Sequence, residues 1–228
     1  MKDRFYLVSP HSNVGSNVSF HSINNKGYTT NIDDSHIYTR EEIQKLVDDK
    51  ALRTSNQQEI PLSADHVDDL AVWHVDMQYL HPTDTYPTKK DAANEYVIVN
   101  YNTGYDGNDV AFVSNISQSF DYAKAMIFTE KEIRSLQVSG ELTDKYKVYP
   151  KTHTDTIARR TFQEHNINRK TMIQGAGIKG VRQKRKRQSS GLVRMNCPTC
   201  GKIAWQRNPY EFESCSDPMC MRPNRTIF

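Results

Sequence analysis

The chain has 228 residues, of which 36% are hydrophobic and 10% aromatic, and its mean hydropathy is -0.75. This polarity disfavours one large core, while the aromatic content argues against wholesale disorder, so small domains fit best. No apolar run reaches the length of about 18 residues that a membrane span needs, and the first residues lack the apolar core of a secretory signal. A cytoplasmic protein that does not associate with membranes is therefore expected.

The charge is divided unevenly along the chain. Residues 1–150 hold 14 lysines and arginines against 22 aspartates and glutamates, a net of -8, whereas residues 151–228 hold 16 against 5, a net of +11. An acidic first part joined to a basic tail predicts that only the tail meets a polyanion such as DNA or RNA.

The acidic part reads as one module present twice. A short apolar run opens each copy, at 5–8 and at 96–99, and a polar, glycine-bearing turn then leads to an alternating stretch, at 18–22 and at 110–114. Strand, turn and strand predict a hairpin in each copy.

Two helices are expected to follow each hairpin. Thr39 and Thr129 stand at N-cap positions, and Glu42 and Glu132 lie three residues further on, which predicts a capping box in both copies. The predicted helices are 37–46 and 64–73 in the first copy, and 127–136 and 154–162 in the second.

These elements predict an α+β fold, with two tandem β-β-α(α) repeats followed by a basic linker and a C-terminal zinc ribbon. A tandem duplication further predicts that residues 5–75 and 96–162 superimpose. The predicted boundaries are 1–80 for the first repeat, 81–94 for a linker, 95–170 for the second repeat, 171–193 for the basic linker and 194–228 for the ribbon.

Two runs of the first copy, Gly-Tyr-Thr-Thr at 27–30 and Tyr-Thr-Arg-Glu-Glu at 38–42, resemble runs in small uncharacterised proteins of tailed phages. That resemblance implies a phage origin and no particular activity.

No catalytic motif stands out in this part. A metal site is one interpretation of His66 and His74, since acidic residues surround them, but a solvated acidic helix face is the simpler one; the acidic residues are Asp65, Asp68, Asp69 and Asp76.

The cysteines all lie near the C-terminus, at Cys197, Cys200, Cys215 and Cys220. Paired cysteines in a chain without a signal peptide favour metal over disulfides. Four thiolates complete a closed tetrahedral shell, so the spacing predicts one structural zinc ion with no open position for catalysis. A hairpin is expected between the pairs, over 203–207 and 210–214.

The basic residues before and within the ribbon have two interpretations, a solvated linker or an arm that contacts phosphates and releases counterions. Trp205 has two as well, since it could stack on bases or fill the core of the hairpin. The predicted nucleic-acid contacts are Lys179, Arg182, Lys184, Arg185, Lys186, Arg187, Arg194, Lys202, Trp205 and Arg207.

A Cys-Pro-x-Cys knuckle followed by a Cys-x4-Cys knuckle resembles the Ogr/Delta-like zinc fingers of phage late-gene transcription activators, over about residues 195–228. The central spacer is shorter here, and Met221 and Arg222 stand where that family places an aromatic residue. The resemblance implies contact with DNA or polymerase in transcription.

The leading hypothesis is a phage-encoded, non-enzymatic accessory protein in the host cytoplasm. Its basic arm and ribbon bind DNA or RNA, and its acidic repeats bind a host or phage protein. One alternative is a protein-interaction factor that inhibits or redirects a host enzyme and uses zinc only as a structural staple. A third is a metal-dependent nuclease whose acidic residues assemble a metal site.

Overall fold

Helices and strands alternate along the chain and form several small sheets, which confirms the predicted α+β class. The computed structural model describes residues 3–52, 59–86, 95–181, 191–211 and 215–220. The chain divides into two compact units, Met1–Val181 and Arg182–Phe228. We call residues 3–86 the first segment of the first unit and residues 95–169 its second segment.

The strands of the first unit are β1 (Phe5–Val8), β2 (Phe20–His21), β3 (Tyr28–Thr29), β4 (Ile60–Ser63), β5 (Val72–His74), β6 (Glu95–Asn100), β7 (Tyr105–Asp106), β8 (Asp109–Val110), β9 (Phe112–Ser114), β10 (Ser117–Ser119), β11 (Phe128–Thr129), β12 (Tyr146–Pro150) and β13 (Arg159–Thr161). Its α-helices are α1 (Arg40–Asp48), α2 (Ala64–Asp69), α3 (Glu130–Val138) and α4 (Lys151–Ile157). The second unit contains β14 (Val193–Asn196) and β15 (Ile203–Gln206).

Each segment builds an antiparallel sheet around its first long strand. In the first segment the order is β3-β2-β1-β4, and in the second β6 pairs with β9, β11 and β12, while β10 pairs with β9. The last residue of β1, Val8, pairs with Phe20, and Val99 of β6 pairs with Phe112 in the same way. These matching pairs are what a duplicated unit would make, and the superposition of the two segments stays a prediction.

Both predicted capping boxes are present. Thr39 Oγ1 accepts from the Glu42 N–H (3.2 Å), and Glu42 Oε2 accepts from the Thr39 N–H (2.8 Å). The second box joins Thr129 and Glu132 at 3.4 Å and 2.7 Å. The backbone hydrogen bond to each carboxylate lowers the pKa of Glu42 and of Glu132. Each box satisfies N–H groups that the first helical turn leaves open, which is why α1 and α3 begin where they do.

The predicted second helices are shorter in the structure than in the sequence analysis. α2 ends at Asp69 and α4 at Ile157, and the chain then enters β5 and β13. These two strands pair with each other, with Trp73 opposite Arg160. A helix through Trp73 or Phe162 would remove this pairing, so a contact between the segments overrides the local helical pattern.

The two segments exchange core residues beyond the paired strands. Val75 follows β5 and packs with the core of the second segment, whereas Phe162 follows β13 and packs with the core of the first. Reciprocal hydrogen bonds fix both crossings, since the Val18 N–H donates to Phe162 O (2.9 Å) and the Val110 N–H to Val75 O (3.0 Å). Neither core is complete without the other segment.

Residues 171–181 belong to the first unit, although the basic linker was expected to begin at 171. A π-helical turn over Lys170–Gln174 buries Met172 and Ile173 in the core of the first segment, and Ile178 joins them. Apolar side chains within this part of the expected linker explain the difference, because their burial holds the chain against the sheet.

Two glycines face each other where the segments meet. Gly15 and Gly107 have φ angles of +61° and +65°, a region that L residues with a Cβ adopt at a cost. A Cβ on Gly107 would lie 2.7 Å from the backbone nitrogen of Gly15, too close for any real contact. The close approach therefore needs glycine for its size as well as for its conformation.

Gly107→Ala is expected to destabilise the first unit by about 1–3 kcal/mol more than Gly140→Ala, because overpacking against backbone adds to the conformational strain. Gly140 is the matched control, since its φ is +74° and nothing lies within 4 Å of an added Cβ. Urea unfolding monitored by circular dichroism measures both variants. Equal losses of stability would contradict the close approach of the two glycines.

Candidate metal centre

The first knuckle lies at the end of the β14–β15 hairpin, where Cys197 follows β14 directly. The Gly201 N–H donates to Cys197 O (2.8 Å), and the Cys197 N–H donates to Lys202 O (2.8 Å). Gly201 has a φ of +72°, as the turn requires. This tight turn is what brings Cys200 back towards Cys197.

The four cysteine sulfurs lie within 4.8 Å of one another. Cys197 Sγ is 3.5 Å from Cys220 Sγ, and Cys200 Sγ is 3.5 Å from Cys215 Sγ. A disulfide would need about 2.05 Å, whereas Zn–S bonds of about 2.3 Å in a tetrahedron place the sulfurs about 3.8 Å apart. The cysteines can therefore hold one zinc ion, which confirms the predicted ligand cluster and its cofactor.

The second knuckle closes over the first. The Cys215 N–H donates to Cys197 Sγ (3.2 Å), and the Cys220 N–H donates to Asp217 O (2.9 Å). Cys197, Cys215 and Cys220 are buried, whereas Cys200 is exposed. An N–H that points at sulfur stabilises a thiolate, so the backbone supports the charge that a metal-bound thiolate carries.

The thiols cannot all ionise without a cation. Burial opposes ionisation of Cys197, but hydrogen bonds from the N–H groups of Cys200, Thr199 and Cys215 prevail and lower its pKa to about 6. Burial and the neighbouring thiols raise the pKa of Cys220 to about 12. A bound zinc ion would supply the positive charge that lets all four sulfurs ionise, with release of their protons.

The hairpin of the second unit differs from the expected one. β15 pairs with β14, which precedes the first knuckle, and a 3-10 turn over Pro209–Glu211 follows β15. Residues 212–214, the end of the expected partner strand, lie outside the described residues. The knuckle itself thus serves as the hairpin turn, because its hydrogen bonds already reverse the chain.

Arg194 lies directly opposite Trp205 in this hairpin. Trp205 is 58% exposed, while the adjacent Ala204 packs against the buried cysteines. Because successive side chains of a strand point to opposite faces, Ala204 faces the metal centre, and Trp205 and Arg194 share the outer face. Of the two interpretations of Trp205, the structure favours an available ring over a core residue.

The other predicted contact residues belong to different parts of the chain. Lys202 forms an ion pair with Asp217, and Arg207 is exposed. Lys179 lies in the first unit, where its backbone N–H donates to Gln44 Oε1 (3.0 Å). The basic arm lies outside the described residues. Its predicted contact residues are Arg182, Lys184, Arg185, Lys186 and Arg187.

The alternative metal site around His66 and His74 is not assembled. The His74 ring is buried 2.8 Å from Asp109, and Asp68 is paired with Arg160 at 3.0 Å. Within the part of the chain that the structure describes, the four cysteines are the one cluster of three or more histidine, cysteine or acidic side chains at metal-binding distance. The nuclease hypothesis therefore gains no metal site from these residues.

A buried polar cluster escaped the sequence analysis. Asp109 is fully buried; one carboxylate oxygen accepts from Asn17 Nδ2 (2.7 Å) and lies 2.8 Å from His74 Nδ1, and the other lies 2.7 Å from Arg159 Nη2. Burial alone would raise the pKa of Asp109, but the hydrogen bond from His74 and the charge of Arg159 outweigh it and lower that pKa. No periodicity or spacing signals this cluster, because its members come from distant parts of the chain.

Fold and site together define an α+β protein with a C-terminal four-cysteine centre of the kind that holds zinc. No protein family matches the chain, and neither the curated proteins nor the solved structures contain a match. Among the described residues, no helix combines the length and apolarity needed to cross a membrane.

Proposed function

We propose that the protein is a non-enzymatic accessory factor that binds nucleic acid through its basic arm and its zinc-stabilised hairpin. The observation that supports this most directly is the pair formed by Arg194 and Trp205 on the outer face of the hairpin. A guanidinium contacts phosphates, and an exposed indole ring stacks on bases of any sequence.

The charge distribution supports the same proposal. The net of +11 within residues 151–228 includes the arm, whose charges would add phosphate contacts next to the hairpin. The closed four-cysteine shell leaves no position for substrate, so zinc would hold the hairpin in shape rather than take part in a reaction. In this proposal the protein is phage-encoded, works in the host cytoplasm and serves transcription, and its acidic segments bind a host or phage protein.

A protein-docking role is the second candidate. Ile203 is 55% exposed and lies on the same face as Trp205, two positions along β15. Exposed apolar side chains beside an aromatic residue are typical of protein interfaces. In this candidate the zinc is a structural staple, and the factor inhibits or redirects an enzyme of the host.

Trp205→Ala is expected to weaken binding of full-length, zinc-loaded protein to single-stranded DNA or RNA by about 1–3 kcal/mol, since base stacking is lost. Trp73→Ala is the matched control, because Trp73 is also exposed, at 41%, but lies in the first unit. Fluorescence anisotropy with labelled DNA and RNA measures both. Equal effects of the two substitutions would remove the hairpin from the proposed interface.

Replacing Lys184, Arg185, Lys186 and Arg187 together by alanine is expected to reduce the slope of log affinity against log salt by about 3–4 with duplex DNA. Lys131→Ala, an exposed charge on α3, should leave the slope unchanged. Full-length protein that binds neither DNA nor RNA at low salt would refute the nucleic-acid proposal and leave the docking role.

A further inference from the structure

A cleft of about 680 Å³ opens between the two segments of the first unit. Side chains between 12 and 34 and between 76 and 79 line it from the first segment, and 156–159 line it from the second. Its volume lies within the range of small-molecule sites, which is about 300–1,000 Å³. The cleft lies within the first unit, and the proposed function makes no use of it.

Two polar residues of the cleft have less polar counterparts in the other half of the first unit. Ser19 and Ala111 have the same backbone role. Ser19 O accepts from the N–H of Ser9, just after β1, and Ala111 O accepts from the N–H of Asn100, at the end of β6, both at 2.8 Å. Asp76 forms an isolated backbone β-bridge with Asp109, and Gln163 forms the corresponding backbone β-bridge with Asn17. The fold itself holds both polar groups in place, since the Ser19 hydroxyl donates to Ser12 O (2.6 Å) and the Asp76 carboxylate accepts from the Gln78 N–H (2.8 Å).

Arg159 shows the same contrast most strongly. Arg159 is the first residue of β13, and its counterpart Val72 is the first residue of β5. An apolar residue therefore suits this strand position. In the cleft, Arg159 Nε donates to Thr30 Oγ1 (3.3 Å), and Arg159 Nη2 lies 2.7 Å from Asp109 Oδ1. Its side chain is 13% exposed. The buried carboxylate holds the guanidinium in place at the wall of the cleft.

The charges of the cleft argue against an ionic ligand. Asp109 already balances the charge of Arg159, and the carboxylates of Asp34 and Asp76 lie among the other lining groups. An anion would meet these two carboxylates, and a cation would meet the guanidinium. A neutral ligand avoids both repulsions and still uses the charged groups as strong hydrogen-bond partners.

The other lining residues include several hydroxyls and two tyrosines, beside Asn31 and a few apolar side chains. The hydroxyls of Ser12 and Thr30 can donate and accept hydrogen bonds, whereas the Thr156 hydroxyl donates to His153 O (2.7 Å) and can accept one. Tyr79 is 55% exposed and lines the cleft, so its aromatic ring is available to pack on a ligand. Hydroxyls beside an aromatic face suit a ring that carries hydroxyl groups on its edge and C–H groups on its faces.

We propose that this cleft binds a neutral, polyhydroxylated ring compound, either a free sugar or the ribose of an uncharged nucleoside. Tyr79 packs on a face of the ring, and Arg159, Asp34, Asp76 and the wall hydroxyls form hydrogen bonds with its hydroxyl groups. The carboxylates of Asp34 and Asp76 repel a phosphate group, so the cleft selects against phosphorylated forms of the same compounds.

The test uses full-length protein, saturation-transfer NMR and calorimetry with glucose, maltose and adenosine as probes, and with glucose 6-phosphate and AMP as their charged counterparts. We expect at least one neutral probe to bind, and its phosphorylated form to bind about tenfold more weakly. Binding of glucose or maltose would identify a free sugar, whereas binding of adenosine alone would identify a nucleoside.

Tyr79→Ala is expected to weaken the neutral probe about tenfold through the lost ring contact. Tyr105→Ala serves as the control, since Tyr105 is 46% exposed and does not line the cleft. Binding by none of the neutral probes, binding that Tyr79→Ala leaves intact, or stronger binding of the phosphorylated compounds would each overturn the proposal. None of these results bears on DNA or RNA binding by the hairpin.

Discussion

Removal of zinc, or Cys215→Ser, will unfold the second unit and leave the first unit folded. The free energy of zinc binding in small thiolate modules is about 10–16 kcal/mol, and in such modules it is also the free energy of folding. Among the described residues of the second unit, the buried cluster consists of Cys197, Cys215 and Cys220, with Ala204 packed against it. So small an apolar core cannot hold the hairpin without the metal.

Hydrogen exchange followed by mass spectrometry can resolve the two units in the full chain. Treatment with a chelator should remove protection from residues 191–211 and 215–220 and retain it across 95–150, and added zinc should restore it. Ser216→Ala is the matched control, because Ser216 is exposed and adjacent to Cys215. A hairpin that stays protected in protein shown by metal analysis to contain no zinc would refute a metal-dependent fold.

Asp109→Asn will destabilise the first unit by about 3–5 kcal/mol, the usual cost of removing one partner from a buried ion pair. The substitution keeps the shape of the side chain but leaves Arg159 without its carboxylate, 2.7 Å away. Small domains have a total stability of about 5–15 kcal/mol, so the variant would lose a large part of it. Asp144→Asn, on an exposed residue, should change stability little.

The same pair makes a prediction about pH. The pKa of Asp109 is lowered in the folded state, and an aspartate in an unfolded chain has a pKa of about 3.9. The carboxylate therefore stabilises the fold fully above that unfolded value, and the contribution is lost as pH falls through the lower, folded value. Urea unfolding at several pH values should show the difference in unfolding free energy between wild type and Asp109→Asn narrowing from about pH 5 towards pH 3.

An advantage that persists unchanged in acid would mean that packing, rather than charge, accounts for the loss. A difference that grows between pH 5 and pH 3 would contradict the lowered pKa of Asp109. Asp144→Asn, measured beside them, shows how far the loss of one exposed carboxylate changes the pH dependence.

The sequence predicted those parts of the fold that depend on neighbouring residues. Thr39 and Glu42 interact across one helical turn, so their spacing alone placed the start of α1. The zinc ligands were equally predictable, because thiolate chemistry and the spacing of Cys197 and Cys200 allow few alternatives. The central strands β1 and β6 followed from short apolar runs, which are buried along almost all of their length.

Elements whose partners lie far along the chain differ from what the sequence predicted. The helical pattern before Trp73 extended past Asp69, but the structure ends the helix there because Trp73 pairs with Arg160. Similarly, the basic linker was expected to begin at 171, yet Met172 and Ile173 pack in the core of the first segment. Local propensity is a weak signal compared with burial against a distant sheet.

By itself, then, the sequence determined the α+β class, the helix starts and the four-cysteine centre, because hydrogen bonds within a turn and metal-ligand chemistry act over short separations. Only the tertiary structure decided that Val75 and Phe162 exchange between the cores, that Asp109 is buried against Arg159, and that a cleft opens between the segments. These features join residues many positions apart. Their stability comes from burial and charge pairing, which are properties of the assembled fold and not of any one stretch of sequence.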